Sequence, residues 1–207
     1  MESQSPVKWI VAVLFVMGTA VFCPVSADPP YSYGGEFNRP IPKPDRNDPH
    51  ISKGQMEDAL INITDYFFIT DLDVLISITH TNVFDLQIFL QSPAGTKLCL
   101  NMYNFDDFFV GQNYTQTIFD DEAPLSIKQA EAPFTGRFRP LEPYKLSQFD
   151  GENTYGPWRL QIYDMWDADT GTLDSFEIMI TTPQPATIVL LTFGIGLVAL
   201  LKPNRRS

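Results

Sequence analysis

Two clusters of acidic side chains are the strongest candidates for chemistry in this sequence. The first cluster consists of Asp120, Asp121 and Glu122, and the second surrounds a later turn and consists of Asp164, Asp167, Asp169 and Asp174. Calcium prefers several oxygen ligands, and carboxylates on flexible turns supply them well. The sequence therefore predicts calcium (Ca2+) as a ligand of one of these clusters.

The spacing of the second cluster differs from that of an EF-hand loop. Thr172 stands where the loop glycine belongs, and Ile178 stands where the bidentate Glu would be. Asp side chains also accept hydrogen bonds from the backbone of the turns that they belong to. From the sequence, calcium binding and turn capping both remain open.

Catalytic residues are not predicted. His50 and His80 are the only histidines in the chain, and His80 falls at the end of a predicted strand. Nucleophilic catalysis needs a base that is held next to its nucleophile and oriented by a third group. No motif of that kind, no phosphate-binding loop and no nucleophile elbow occurs in the sequence. We therefore expect that the chain is not an enzyme.

Strands are predicted throughout the part of the chain that carries the acidic clusters. Apolar residues alternate with polar ones in several short segments, at Val74, Ile76 and Ile78, at Leu86, Ile88 and Leu90, at Leu98 and Leu100, at Trp158, Leu160 and Ile162, and at Phe176, Ile178 and Ile180. Such a period of two places one face in a core and the other in water. Short strands separated by turns predict an all-β fold, an antiparallel jelly-roll β-sandwich or barrel.

The segments outside residues 55–182 have other compositions. Residues 1–27 have the basic start, the apolar run and the small residues before a cleavage site that define a signal peptide. Residues 28–54 are rich in Gly, Pro, Asn and charge, and are predicted as a flexible linker. Residues 183–207 form a tail in which 186–201 are predicted as a transmembrane helix, followed by basic residues.

The mature part of the chain is strongly acidic. Between the predicted signal peptide and the tail, 24 acidic residues face 10 basic ones, a net charge of −14. Nucleic-acid binding is excluded as a function because it requires basic surfaces. Cys23 leaves with the signal peptide, so Cys99 is expected as a single thiol in the core.

The order of the motifs resembles the P domain (Homo B domain) of kexin- and furin-like proprotein convertases. The motifs that carry the resemblance are a His80-Thr81 turn, an Asp85-Leu86 strand, the hairpin Ser92-Pro93-Ala94-Gly95-Thr96, the acidic run Asp120-Asp121-Glu122, the turn Gly151-Glu152-Asn153, the strand from Gly156 and Trp158, and Asp169-Thr170-Gly171-Thr172-Leu173. The resemblance implies a jelly-roll module that stabilises a subtilisin-like catalytic domain. The resemblance would also imply serine-type endopeptidase activity, but the catalytic motifs of subtilisin-like domains are absent from the sequence.

The tail resembles the PEP-CTERM sorting signal. Pro183-Gln184-Pro185-Ala186-Thr187 precedes the apolar segment, with Gln184 where that signal usually has Glu. The resemblance implies export, processing by signal peptidase and by an exosortase-like enzyme, and a place at the cell surface or outside the cell. A simple tail anchor in the membrane is the alternative.

These observations predict a non-catalytic surface module that binds or stabilises a partner. The predicted partners are a subtilisin-like protease or a cell-surface polysaccharide. Binding of carbohydrate or exopolysaccharide is the alternative function, because jelly rolls often bind sugars through exposed aromatic side chains. The aromatic candidates are Phe89, Tyr103, Phe105, Phe108, Phe109, Tyr155 and Trp166.

Overall fold

The computed structural model describes residues 30–45, 47, 53–102, 110–168 and 170–182. Within these residues the chain forms ten β-strands and three short 3₁₀ turns. The strands are β1 (Tyr31–Ile41), β2 (Gly54–Gln55), β3 (Ala59–Ile63), β4 (Asp71–His80), β5 (Leu86–Gln91), β6 (Lys97–Asn101), β7 (Tyr114–Phe119), β8 (Phe134–Phe138), β9 (Gly156–Asp164) and β10 (Gly171–Thr181). The 3₁₀ turns are Val83–Asp85, Ile127–Gln129 and Leu146–Phe149.

The strands form two sheets that pack face to face. The first sheet has the order β1-β10-β4-β7-β8, and the second has the order β2-β9-β5-β6 with β3 also paired to β9. The alternating apolar residues of β4, β5, β9 and β10 are buried between the sheets, as their period of two predicts. The all-β sandwich predicted from the sequence is therefore confirmed.

One strand pair departs from the antiparallel prediction. β7 and β8 pair in parallel, with Tyr114 opposite Phe134 and Phe119 opposite Phe138. Parallel neighbours need a long crossover connection. Residues 120–133 provide it, and they include the first acidic cluster and the 3₁₀ turn Ile127–Gln129. The acidic run is thereby placed in a crossover loop at one end of the sandwich.

The prediction of a flexible linker over residues 28–54 is wrong for residues 31–41. They form the edge strand β1, which pairs with β10 from Tyr31 opposite Ile180 to Ile41 opposite Gly171. Tyr33, Phe37 and Ile41 lie on its inward face, but glycine and charged residues between them hid this period. Gly34 allows the close approach of β1, because a Cβ there would lie 2.1 Å from the carbonyl oxygen of Phe176.

The core also contains the single cysteine of the domain. Cys99 is buried in β6, and burial raises the pKa of its thiol to about 12. This placement confirms the expectation of a small core residue and keeps the thiol protonated at neutral pH.

The predicted signal peptide and the predicted transmembrane segment 186–201 lie outside the described residues. Among the residues that the structure does describe, no helix has the length and apolar character that crossing a membrane requires. The sequence predictions for the two ends of the chain stay predictions.

Candidate functional site

The strand β4 connects two polar sites at opposite ends of the sandwich. Its first residue, Asp71, lies in an acidic cleft, and its last residue, His80, is buried beside Asp164. A strand of this length spans about 30 Å. Asp120, Asp121 and Glu122 of the first predicted cluster therefore lie at one end of the domain, and Asp164 of the second lies at the other.

The acidic cleft has a volume of about 340 Å³. It is lined by Thr70, Asp71, Asp73, Asp120, Asp121, Glu122, Arg137, Ser147 and Asp150. Its carboxylates come from three elements. These elements are the start of β4, the crossover loop after β7 and the turn that follows Leu146–Phe149. The sequence pointed to the three residues of the crossover loop. Asp71, Asp73 and Asp150 were missed because only the sheet pairing brings them there.

Arg137 lies between two of these carboxylates. Its guanidinium group donates a hydrogen bond from Nε to Asp120 at 2.6 Å, and another from a terminal nitrogen to Asp73. The second oxygen of Asp120 accepts the backbone N–H of Glu122 at 2.7 Å. An arginine of the chain itself thus takes the place of a cation in this part of the cleft.

Asp121 holds a neighbouring turn in place. Its two carboxylate oxygens accept the backbone N–H groups of Leu146 and Ser147, each at 2.9 Å. These bonds satisfy the first donors of the 3₁₀ turn Leu146–Phe149. The turn-capping alternative describes Asp121 well, because both of its oxygens are already engaged.

The crowding of carboxylates changes their pKa values. Burial, and then the charge of Asp120, raises the pKa of Asp73 from 3.8 to about 6, although Arg137 opposes the change. Burial and the charges of Asp71 and Asp121 raise the pKa of Asp150. Burial also acts to raise the pKa of Asp120, but its hydrogen bonds from Arg137 and from the backbone outweigh burial and lower it. The cleft therefore favours binding of positive charge.

Asp73 predicts a specific dependence of stability on pH. Its folded pKa lies above its ordinary value of 3.8, so the native state binds the proton more tightly than the unfolded state does. The resulting stabilisation is fully present below about pH 4 and is lost as the pH rises through about 6. We expect the free energy of unfolding of Asp73→Asn to fall less than that of the wild type over this range, as measured by urea denaturation. Asp174→Asn, at the opposite end, should retain the wild-type slope, and parallel curves for Asp73→Asn and the wild type would contradict the prediction.

The second site is a buried pair of His80 and Asp164. The side chains of both residues are 0% exposed, and His80 Nε2 lies 3.4 Å from Asp164 Oδ2. The other ring nitrogen, Nδ1, accepts the backbone N–H of Asn82 at 3.1 Å. With Nδ1 as an acceptor, the proton of a neutral imidazole is assigned to Nε2, which faces the carboxylate without forming a hydrogen bond to it. Asp164 Oδ1 accepts the backbone N–H of Trp166 at 2.9 Å.

Close packing holds the imidazole ring of His80. A Cβ at Gly171 would lie only 2.3 Å from Cδ2 of this ring, so the first residue of β10 must lack a side chain. An open pocket of about 330 Å³ lies beside this residue, and it is lined by Thr79, His80, Thr81, Gln112, Asn113, Thr170, Gly171 and Thr172. The sequence placed His80 at the end of a predicted strand, and the structure shows it buried there, with a carboxylate as its neighbour.

The described members of the second acidic cluster do not form a metal-binding group with Asp164. Asp174 lies on β10, where it accepts the hydroxyl of Thr79 at 2.7 Å. Asp167 belongs to the turn after β9, and Asp169 lies outside the described residues. Within the described ranges, no group of three or more His, Cys, Asp or Glu side chains could hold a metal ion. Calcium binding by either cluster stays a prediction, and its signature would be a rise in melting temperature that EDTA reverses.

The aromatic residues predicted for carbohydrate binding are also separated. Tyr155 and Trp166 are 59% and 49% exposed, but they flank opposite ends of β9. Phe89 packs against Tyr163, and Lys97 lies over its ring. Tyr103, Phe105, Phe108 and Phe109 lie outside the described residues. The described candidates thus do not form one platform for a sugar.

The fold and its two end sites define a β-sandwich domain with an acidic cleft at one end and a buried His–Asp pair at the other. The chain belongs to the proprotein convertase P-domain family, whose model matches residues 69–180, more than half of the chain. This match includes both sites but not β1, β2 and β3. The resemblance predicted from the ordered motifs is confirmed for the P domain.

Two solved structures are similar to this chain at low sequence identity. The serine protease of Aeromonas sobria is 20% identical, with a TM-score of 0.47, and the match covers 79% of this chain and 28% of that chain. The complex of that serine protease with its chaperone gives 19% identity, a TM-score of 0.45, and coverage of 76% and 28%. This chain therefore spans less than a third of the length of either protein. No curated protein matches the sequence.

Proposed function

We propose that this protein is a non-catalytic P-domain module at the cell surface that binds and stabilises a subtilisin-like serine protease. The proposed link to proteolysis rests on the membership of the chain in the proprotein convertase P-domain family. The proposed contact is the acidic cleft, because its six carboxylates exceed the single guanidinium group of Arg137 and would attract a basic surface of the partner.

The chemistry of the domain supports a role without catalysis. His80 is the only histidine among the described residues. Its Nε2 faces the buried Asp164 and not a hydroxyl or thiol nucleophile. The thiol of Cys99 is buried, and its pKa is raised to about 12, which is unfavourable for nucleophilic attack. A nucleophile paired with a base, which a serine-type endopeptidase needs, is not formed by these groups.

Export and sorting complete the proposal. The predicted signal peptide directs the chain out of the cell, and the apolar segment 186–201 holds it in the membrane until an exosortase-like enzyme acts on the tail. An acidic domain next to this anchor suits an exported protein that meets a partner at the cell surface.

The test combines the purified full chain with a subtilisin-like protease that lacks a P domain and comes from the same genome. We expect the chain to prolong the half-life of the protease on heating, and we expect this effect to weaken with added salt. Asp71→Asn together with Asp150→Asn should reduce the protection, whereas Asp174→Asn at the opposite end should not. Protection that is absent, or equal in both variants, would refute the proposed contact.

A second measurement separates the module from an enzyme. The purified chain alone should not hydrolyse casein, and His80→Ala should not differ from the wild type. Casein hydrolysis that disappears in His80→Ala would favour the alternative of a serine-type endopeptidase. Retention of the chain on a polysaccharide matrix, with no effect on the protease, would favour the carbohydrate alternative.

A further inference from the structure

Among the residues that the structure describes, most of the exposed aromatic side chains lie at one end of the sandwich. The loop between β3 and β4 crosses this end from one sheet to the other and carries Tyr66, Phe67 and Phe68 in succession. Tyr66 is 71% exposed and Phe68 is 54% exposed, and their ring centroids lie 6.2 Å apart. Of these three rings, only Phe67 packs against the hydrophobic core. Core packing therefore does not explain Tyr66 and Phe68, which are exposed to solvent.

Backbone pairing places a third exposed ring on the same face. Phe68 forms an antiparallel bridge with Asn153, and the N–H of Thr154 donates to the carbonyl of Phe67 at 3.0 Å. Because side chains alternate along paired segments, Tyr155 emerges on the side of Phe68. It is 59% exposed. We call Tyr31, Tyr66, Phe68 and Tyr155 the aromatic end, since Tyr31 is 50% exposed and stacks on Phe67 at 4.8 Å.

The chain leaves the sandwich beside this aromatic end. Tyr31 lies opposite Ile180 in the pairing of β1 with β10. Thr70, two residues after Phe68, donates to the carbonyl of Thr181 from its N–H at 3.0 Å and from its hydroxyl at 3.1 Å. Any structure that follows Thr182 is therefore tethered to the aromatic end.

The sequence beyond Thr182 is short before it becomes apolar. Only residues 183–187 separate Thr182 from the uncharged segment Ile188 to Leu201. Five residues reach at most about 18 Å when fully extended. The far end of the sandwich is about 30 Å away along β4, so only the aromatic end can stay close to a bilayer that this segment enters.

We propose that the aromatic end rests in the headgroup region of the membrane and orients the sandwich on it. This inference depends on the proposed membrane segment but not on the proposed protease partner. Tyr and Phe rings suit the headgroup layer because they combine an apolar face with, in Tyr, a polar tip. The acidic cleft opens at the same end, through Thr70 and Asp71, so the surface fits zwitterionic lipids and is repelled by anionic ones.

Fluorescence quenching of introduced tryptophans tests this orientation. The full chain is reconstituted in phosphatidylcholine vesicles that carry a nitroxide on a fraction of the headgroups. Tyr66→Trp reports on the aromatic end, and Val110→Trp, a residue that is 80% exposed, reports on the opposite end. Gln148→Trp reports on the same end but outside the aromatic patch, next to the Ser147 of the acidic cleft.

The three positions distinguish lipid contact from simple tethering. We expect several-fold stronger quenching of the tryptophan at position 66 than at positions 148 and 110, with unchanged melting temperatures because all three positions are exposed. Phe68→Ser added to Tyr66→Trp should weaken the quenching, and exchange of part of the lipid for phosphatidylglycerol should also weaken it. Equal quenching at positions 66 and 148 would overturn the proposal, and so would a chain that does not float with the vesicles.

Discussion

Replacement of Trp158 by alanine should destabilise the domain by about 3–5 kcal/mol. Trp158 is fully buried on β9, and its ring packs edge-on against Phe149 with the centroids 5.3 Å apart. Its indole N–H donates to the carbonyl of Thr154 at 3.0 Å. The substitution opens a large cavity between the sheets, and the loss is a large fraction of the about 5–15 kcal/mol that stabilises most domains.

The matched control is the exposed Trp166. It is 49% exposed, so Trp166→Ala should change the free energy of unfolding by no more than about 0.5 kcal/mol. Urea denaturation followed by circular dichroism measures both variants without relying on tryptophan fluorescence. If Trp158→Ala were as stable as Trp166→Ala, the placement of the Trp158 side chain in the core between the two sheets would be wrong.

Replacement of Asp164 by alanine should cost about 2–4 kcal/mol, because it removes a carboxylate that is buried against two N–H groups. The buried Nε2 of His80 faces Asp164 Oδ2 at 3.4 Å, and the backbone N–H of Trp166 donates a hydrogen bond to Oδ1. An unsatisfied buried donor is more costly than a hydrogen bond that water can replace. The measurement is urea denaturation in buffer that contains EDTA.

Asp174 provides the control for this substitution. Asp174 was predicted from the sequence as a calcium ligand together with Asp164, but it lies on the solvent side of β10, where it accepts the hydroxyl of Thr79. Asp174→Ala should therefore cost about 0.5 kcal/mol or less in EDTA. Equal losses in the two variants that appear only when calcium is present would instead support the metal site predicted from the sequence.

The pattern of the strands could be predicted because it depends on local sequence. Val74, Ile76 and Ile78 alternate with polar residues, and a strand with one buried face requires this alternation. β1 was missed because Gly34, Gly35 and the charges of its neighbours conceal the same alternation. Its stability comes from pairing with β10, a partner about 140 residues away, and no local signal reports such a contact.

The candidate site was predicted only in part for the same reason. Asp120, Asp121 and Glu122 are adjacent in sequence and stand out as a cluster. Their cleft is completed by Asp73 and Arg137, which reach it through the pairing of β7 with β4 and with β8. The pairing of His80 with Asp164 likewise arises from two strands of different sheets, so sequence spacing could not predict it.

The strand periodicity, the turn residues and the acidic charge of this P-domain chain follow from the sequence alone, because each is a property of composition or of neighbouring residues. Tertiary structure decided which carboxylates are engaged and which remain available. It placed the first predicted cluster in an acidic cleft with Arg137, and it placed Asp164 of the second cluster in a buried pair with His80, about 30 Å away. Burial and partner choice set the chemistry of a carboxylate, and both are properties of the packed sheets and not of the order of residues.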